Sequence, residues 1–184
     1  MRIDWKNISL EVLAGFISEE LKKRSIEVVL VGGACATIYS HNLYQSYDLD
    51  FVTYENMKKV RQALYEIGFR EKAGYFRHAN CKWFIEFVSP PIAIGDEPIR
   101  KFATKKTALG TIKMLRVEDS VKDRLASYFH WNDLQGLDQA LNICLESEVD
   151  YNEIKKWSIR EGFENKFVDF ENKLKQKKVR QRAR

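Results

Sequence analysis

From Val28 to Val52 the chain reads VVLVGGACATIYSHNLYQSYDLDFV. An apolar run ends at Gly32 and Gly33, a short helical stretch follows, and Asp48 and Asp50 then stand inside an alternating segment. The spacing predicts a strand over EVVLV, a turn at the glycines and a short helix from Ala34 to about Ser40. It predicts a second strand over YDLDFVTY, with Leu49 and Phe51 on one face and Asp48, Asp50 and Val52 on the other. A Gly-Gly turn between strand and helix lets the backbone approach a ligand, and helix N-terminal amides favour phosphate. The same turn also serves as a plain strand-to-helix connection. It is neither GxxxxGK[ST] nor GxGxxG.

The pair of aspartates raises a chemical question. Residues i and i+2 on a strand place their Cα atoms roughly 7 Å apart on one face. Two like charges there repel unless a cation lies between them or solvent screens them. Paired hard oxygen ligands suit Mg²⁺, which takes one or two carboxylates together with substrate phosphates. Glu86 adds a third acid, set in the apolar run WFIEFV. A carboxylate in such a strand needs a metal or a cationic partner to offset desolvation, and a salt bridge would serve as well.

The rest of the chain divides into two textures. ISLEVLAGFISEELKKRS spaces its apolar residues as a helix with Ser9 as N-cap, and ENMKKVRQALYEIGF is an amphipathic helix with Met57, Val60, Leu64 and Ile67 inward and Gly68 as its stop. GYFRHA, KWFIEFVS and IRKFATKKTA read as strands, broken by SPPIAIGDEP. From GTIKMLRVEDSVKDRLASYFHW onward the pattern is helical, beginning near Val117 or Ser120, with Ser120 and Asp123 resembling a capping box. Tyr128, Phe129 and Trp131 read as core, and His41 and His78 as structural or surface residues. The fold class is α+β: a small mixed sheet flanked by helices, then a C-terminal helical bundle.

Composition bounds the function. The 184 residues are 45% hydrophobic and 12% aromatic, sufficient for a packed core. Residues 1–100 balance 13 basic against 13 acidic groups, whereas the last twelve, KLKQKKVRQRAR, hold seven basic and no acidic residues. The net charge of +5 therefore belongs to the tail, which reads as a frayed, solvated end or a contact for nucleic acid. Cys35, Cys81 and Cys144 are widely spaced, which points to neither zinc nor a disulfide framework. No signal peptide or membrane span is expected, and the protein reads as cytoplasmic with no membrane partner.

Taken together, LVGGACATIY, SYDLDF and WFIEF resemble the DNA polymerase β-type nucleotidyltransferases, whose pattern is a Gly-Gly or Gly-Ser turn, an h-D-x-D-h strand and a third acid on a neighbouring strand. FIEFVSPPIAIGDEPI, VEDSVKDRLASYFHWNDLQGLDQAL and IKKWSIREG resemble uncharacterised bacterial and archaeal nucleotidyltransferase-like proteins related to AbiEii-type toxins. The resemblance covers about residues 25–170. It implies a nucleotidyltransferase core over 1–115, a helical region over 116–172 and a basic tail over 173–184. It further implies transfer of NMP from an NTP to a hydroxyl of RNA, protein or a small molecule, in a toxin–antitoxin context with an antitoxin or partner protein. The other reading is a non-catalytic binding module on the same fold. Asp48, Asp50 and Glu86 would bind two Mg²⁺ ions; Gly32, Gly33, Ser46, Lys122 and Asp133 would contact the nucleotide. The third acid is Glu where many relatives carry Asp, and the interval between the glycines and Asp48 has no arginine where related toxins often have one.

Overall fold

The computed structural model describes residues 3–182. Its chain divides into two compact units. The first comprises residues 3–35, 45–92 and 101–115; the second comprises 36–44, 93–100 and 116–182. The helical unit thus takes two segments from within the first 115 residues.

The first unit is built on a mixed seven-stranded sheet. Its strands are β1 (Val29–Val31), β2 (Asp48–Val52), β3 (Arg70–Lys72), β4 (Tyr75–Arg77), β5 (Phe84–Val88), β8 (Ala103–Thr107) and β9 (Gly110–Met114), in the order β3-β4-β5-β2-β1-β9-β8. Helices α1 (Leu10–Lys22) and α3 (Met57–Glu66) belong to this unit. Ser9 caps α1 by accepting from the Val12 amide, as the sequence predicts. In α3, Val60 and Leu64 are buried, while Gly68 takes φ +94° beyond the helix end. Leu13, Ile17 and Leu21 of α1 share the core with Leu30, Leu49, Phe51, Phe76, Ile85 and Ile112. His78 stacks on Trp5 at 4.0 Å, and burial lowers its pKa, which fits a structural role.

Three stretches differ from the sequence reading. Arg70–Lys72, to which the pattern assigns no strand, is β3, paired with β4. GTIKM is strand β9, paired with β1 in parallel and with β8 in antiparallel, because Ile112 and Met114 alternate into the core. SPPIAIGDEP is not merely a break. It holds a small hairpin of the second unit, β6 (Ala93–Ile94) with β7 (Glu97–Pro98).

The second unit contains α4 (Val117–Trp131), α5 (Leu134–Glu146), α6 (Tyr151–Arg160) and α7 (Glu164–Arg182). Helix α2 (Gly32–Tyr39) starts in the first unit and ends in the second. Arg116, not Ser120, is the N-cap of α4, and Ser120 lies buried inside the helix. Phe129 stacks on Trp157 at 5.7 Å and on Phe163 at 5.1 Å, within a core that includes Leu125, Leu141, Phe167 and Phe170. Trp131, expected in the core, is 76% exposed, because α4 ends one residue later at Asn132 in the left-handed region. Helix α7 continues to Arg182 through most of the stretch read as a frayed tail, fastened by buried Leu174 and by ion pairs from Lys173 to Asp169 and from Lys177 to Asp138. Residues 183 and 184 lie outside the described residues. No described helix is long and apolar enough to cross a membrane.

A charged network is folded into this unit. Lys122, 1% exposed, donates to Glu153 at 2.8 Å and to Glu97 at 3.1 Å. Arg116 donates to Asp119 at 2.8 Å and to Glu153 at 2.6 Å. Burial acts to raise the Glu153 pKa, but hydrogen bonds from Arg116 and Lys122 outweigh it and hold the group down to about 2 from its ordinary 4.5. A carboxyl depressed in the folded state contributes its full stability above the unfolded value and loses it as pH falls through the folded one. Glu153→Gln should therefore lower stability by about 1–2 kcal/mol at pH 7. Urea denaturation should show the gap from wild type narrowing as pH drops from 4.5 towards 2.

Candidate metal and nucleotide site

Strands β2 and β5 run parallel and in register, with Leu49 opposite Ile85 and Phe51 opposite Phe87. That apolar row faces the core: Leu49, Phe51 and Ile85 are completely buried. Because side chains alternate along a strand, the residues between them project to the other face. There Asp48 stands opposite Phe84, and Asp50 opposite Glu86. One carboxylate oxygen from each of Asp48, Asp50 and Glu86 lies within 4.8 Å of the others, and all three residues are half-buried. The sheet thus brings together three acids that the sequence separates by up to 38 positions.

Two neighbours shape this cluster. The Ser46 hydroxyl donates to Asp48 Oδ1 at 2.5 Å, and Ser46 is 3% exposed. Val31 pairs with Asp50 across the antiparallel β1–β2 ladder, which brings Gly32 beside the Asp50 carboxylate. Gly32 has φ +65°, and a Cβ there would collide with Asp50 Oδ2. Only glycine meets both conditions without strain. Gly32 and Gly33 do not form a separate turn; they open helix α2 itself.

Chemically, three half-buried carboxylates within 4.8 Å repel one another. At 5 Å two unit charges interact by about 0.8 kcal/mol in bulk water and by about 3 kcal/mol at an effective dielectric near 20. A divalent cation turns that repulsion into attraction, and an all-oxygen donor set suits a hard ion. Among the described residues, Asp48, Asp50 and Glu86 are the group with the donors and spacing to hold a metal. The three cysteines are free thiols.

The structure gives two other predicted residues protein partners. Lys122 is enclosed by Glu97, Glu153 and Asp119, and burial alone would lower its pKa, but the hydrogen bonds to Glu153 and Glu97 raise it. Asp133 is the N-cap of α5, accepting from the Gln135 amide at 2.9 Å. Conversely, the sheet adds residues that sequence reading did not single out. Phe84 sits beside Asp48, and Arg77 sits beside Phe84, in one cross-strand row. The alternation in YFR and FIE carries this signal, but only the register reveals which strands adjoin.

No protein-family model matches the sequence, and no curated protein matches it. Three solved structures do share its fold. An antigenic nucleotidyltransferase-like protein from Paracoccidioides brasiliensis aligns with a TM-score of 0.63 at 13% identity, covering 90% of this chain and 92% of that one. The solution structure of the antibiotic-resistance factor ANT(2'')-Ia aligns with a TM-score of 0.53 at 12% identity, over 89% of this chain and 95% of that one. A crystal structure of ANT(2'')-Ia in complex with adenylyl-2''-tobramycin aligns with a TM-score of 0.53 at 13% identity, over 86% and 99%. The chain has a nucleotidyltransferase-like fold.

Glu86→Gln removes one charge from a directly opposed like pair. In chelator it should melt at or slightly above the wild-type temperature, by about 0.5 kcal/mol of stability. With millimolar Mg²⁺ or Mn²⁺ the order should reverse, because binding stabilises only the intact site. A wild-type melt that neither ion moves would contradict a metal site. Gly32→Ala should weaken ion binding by about tenfold, as the new methyl displaces Asp50 at a strained backbone position.

Proposed function

We propose that the protein is a divalent-metal-dependent nucleotidyltransferase, with Mg²⁺ as its ion and an NTP as donor. It moves NMP to a hydroxyl of RNA, protein or a small molecule. The observation that carries this reading is the carboxylate cluster on in-register β2 and β5, closed on one side by Gly32. The adenylyl-2''-tobramycin held by one structural neighbour, a compound bearing a nucleotidyl group, is in keeping with it.

In this reading Asp48 and Asp50 would hold one Mg²⁺ ion, and Asp50 and Glu86 would serve a second that supplies charge on the acceptor side. Bound Mg²⁺ supplies positive charge to the α-phosphoryl group and favours the ionised form of the hydroxyl. Ser46 fixes the Asp48 carboxylate in place. Gly32 and Gly33, opening α2, present backbone amides to the phosphates, a favourable end of a helix for anions. The acceptor oxygen bonds to the α-phosphorus. The bond from that phosphorus to the bridging oxygen breaks, and pyrophosphate departs. The hydroxyl proton passes to a site carboxylate or to water. No covalent enzyme intermediate is needed. Lys122 and Asp133, whose observed partners are protein groups, receive no nucleotide role here.

The test is transfer of label from each α-³²P NTP into RNA, protein and small-molecule fractions. The Asp48→Asn, Asp50→Asn double variant should lose about a thousandfold or more of the rate. Equal transfer by both proteins would refute the assignment.

A further inference from the structure

We infer that the outer strands of the sheet, on the same face as the carboxylate cluster, form a binding strip for a single-stranded polynucleotide. Three side chains build it: Phe84, Arg77 and Tyr75. Asp48 pairs with Phe84 across β2–β5, and Phe84 pairs with Arg77 across β5–β4. Paired residues in adjoining strands point to the same face. Arg77 and Phe84 therefore share the face of the acids, while Phe76 and Ile85, also paired, point into the core.

The chemistry of the row is specific. The Arg77 guanidinium lies over the Phe84 ring at 4.4 Å and near the Tyr75 ring at 5.8 Å. Tyr75 meets Phe84 edge-on at 5.0 Å. Arg77 is exposed, and the two rings are half-buried, so the assembly is a surface rather than core. A flat cation backed by aromatic rings is what a nucleobase stacks on, and its charge meets a phosphate.

Charge complementarity favours this occupant. Residues 1–100 are neutral overall, yet Arg70 to Phe84 carry four Lys or Arg against one Glu. That glutamate, Glu71, pairs with Phe76 in the ladder and ion-pairs with Arg61 at 2.5 Å, so it belongs to the opposite face. Lys72 pairs with Tyr75 and extends the cationic face outward, whereas the Arg70 guanidinium is taken up by the Tyr65 and Phe69 carbonyls at the end of α3. Lys72 and Arg77 at the outer end of the row favour a polyanion there.

The spacing joins the strip to the cluster. Neighbouring strands lie about 4.8 Å apart, so Arg77 stands about 10 Å from Asp48. A strand with its last base against Phe84 and Tyr75, and a phosphate at Arg77, presents its terminal hydroxyl to the carboxylates. Only this last placement rests on the transferase reading; binding to the strip does not.

The test measures binding without chemistry. A 5′-fluorescein 12-mer of uridylate, and its deoxy counterpart, are titrated with the full chain in EDTA and followed by anisotropy. Arg77→Ala and the Tyr75→Leu, Phe84→Leu double variant should each weaken binding by about tenfold. Arg77→Ala should also flatten the salt dependence by about one phosphate, which Arg77→Lys should restore. Lys58→Gln, at an exposed position of α3, and the Asp48→Asn, Asp50→Asn variant should bind at least as tightly as wild type. A preference for the ribose probe would identify RNA, and equal binding any single strand. Unchanged affinity in Arg77→Ala, with its circular dichroism intact, overturns the strip and leaves the transferase reading standing. Loss of affinity in Arg77→Ala, with no label transferred by wild type, keeps the strip and removes the transferase.

Discussion

The in-register parallel pairing of β2 and β5 is the constraint from which the site follows. Period-two alternation ties the two faces of these strands together. A slip by one residue would move Leu49, Phe51 and Ile85 out of the core and drive Asp50 and Glu86 into it. Burying three such apolar side chains contributes roughly 5–8 kcal/mol. Repulsion among half-buried carboxylates costs about 1–3 kcal/mol for each pair. The three pairs together cost about 3–9 kcal/mol, comparable with that burial. The slipped register would in addition desolvate carboxylates in the core, so apolar burial and desolvation together hold the acids where their mutual repulsion would part them. The fold therefore holds the like charges of the cluster together, an arrangement that a bound cation would offset.

Much of this was legible beforehand because the determining signals are local. Ser9 before an apolar stripe, and Leu49 and Phe51 alternating with Asp48 and Asp50, need no partner to be read. So too the three acids and the two glycines, which the sequence reading named together and the sheet assembles in part, with Gly32 against Asp50. Register was not legible. Nothing in FIEFV says that Glu86 will face Asp50 rather than Leu49; that depends on a pairing across 36 residues. Strand β9 was lost for a related reason: GTIKM is short, abuts a helix, and gains its identity only from pairing with β1 and β8.

Lys122 shows what the sequence does not display. The resemblance to toxin nucleotidyltransferases gives it a nucleotide contact. In the fold it is enclosed by acids from β7 and α6, 25 and 31 residues distant. A buried ammonium persists only with such compensation, since removing it from water unpaired is costly. The network explains why the helical unit tolerates Arg116, Asp119, Lys122 and Glu153 together inside its structure. The basic tail follows the same logic: a block of like charge reads as a solvated end or a contact for nucleic acid, and Leu174 with the pairing of Lys173 and Lys177 to acids extends α7 into it as far as Arg182.

The three acids are held by three different devices, and that difference bears on how the site works. Asp48 is oriented by a charge-assisted hydrogen bond from buried Ser46. Asp50 occupies space that exists only because residue 32 lacks a side chain. Glu86 is placed by strand register alone. Each of these devices acts through the protein's own groups, so the fold itself brings the donor oxygens together. Preorganisation of this kind places the cost of assembling like charges in folding rather than in binding, where it would weaken affinity. It also makes the positions unequal. Replacing Gly32 disturbs a backbone conformation together with a carboxylate, replacing Ser46 frees one oxygen, and replacing Glu86 leaves the sheet unaltered while removing a charge. The side chain least anchored by its surroundings is thus the one whose loss would report most directly on ion binding.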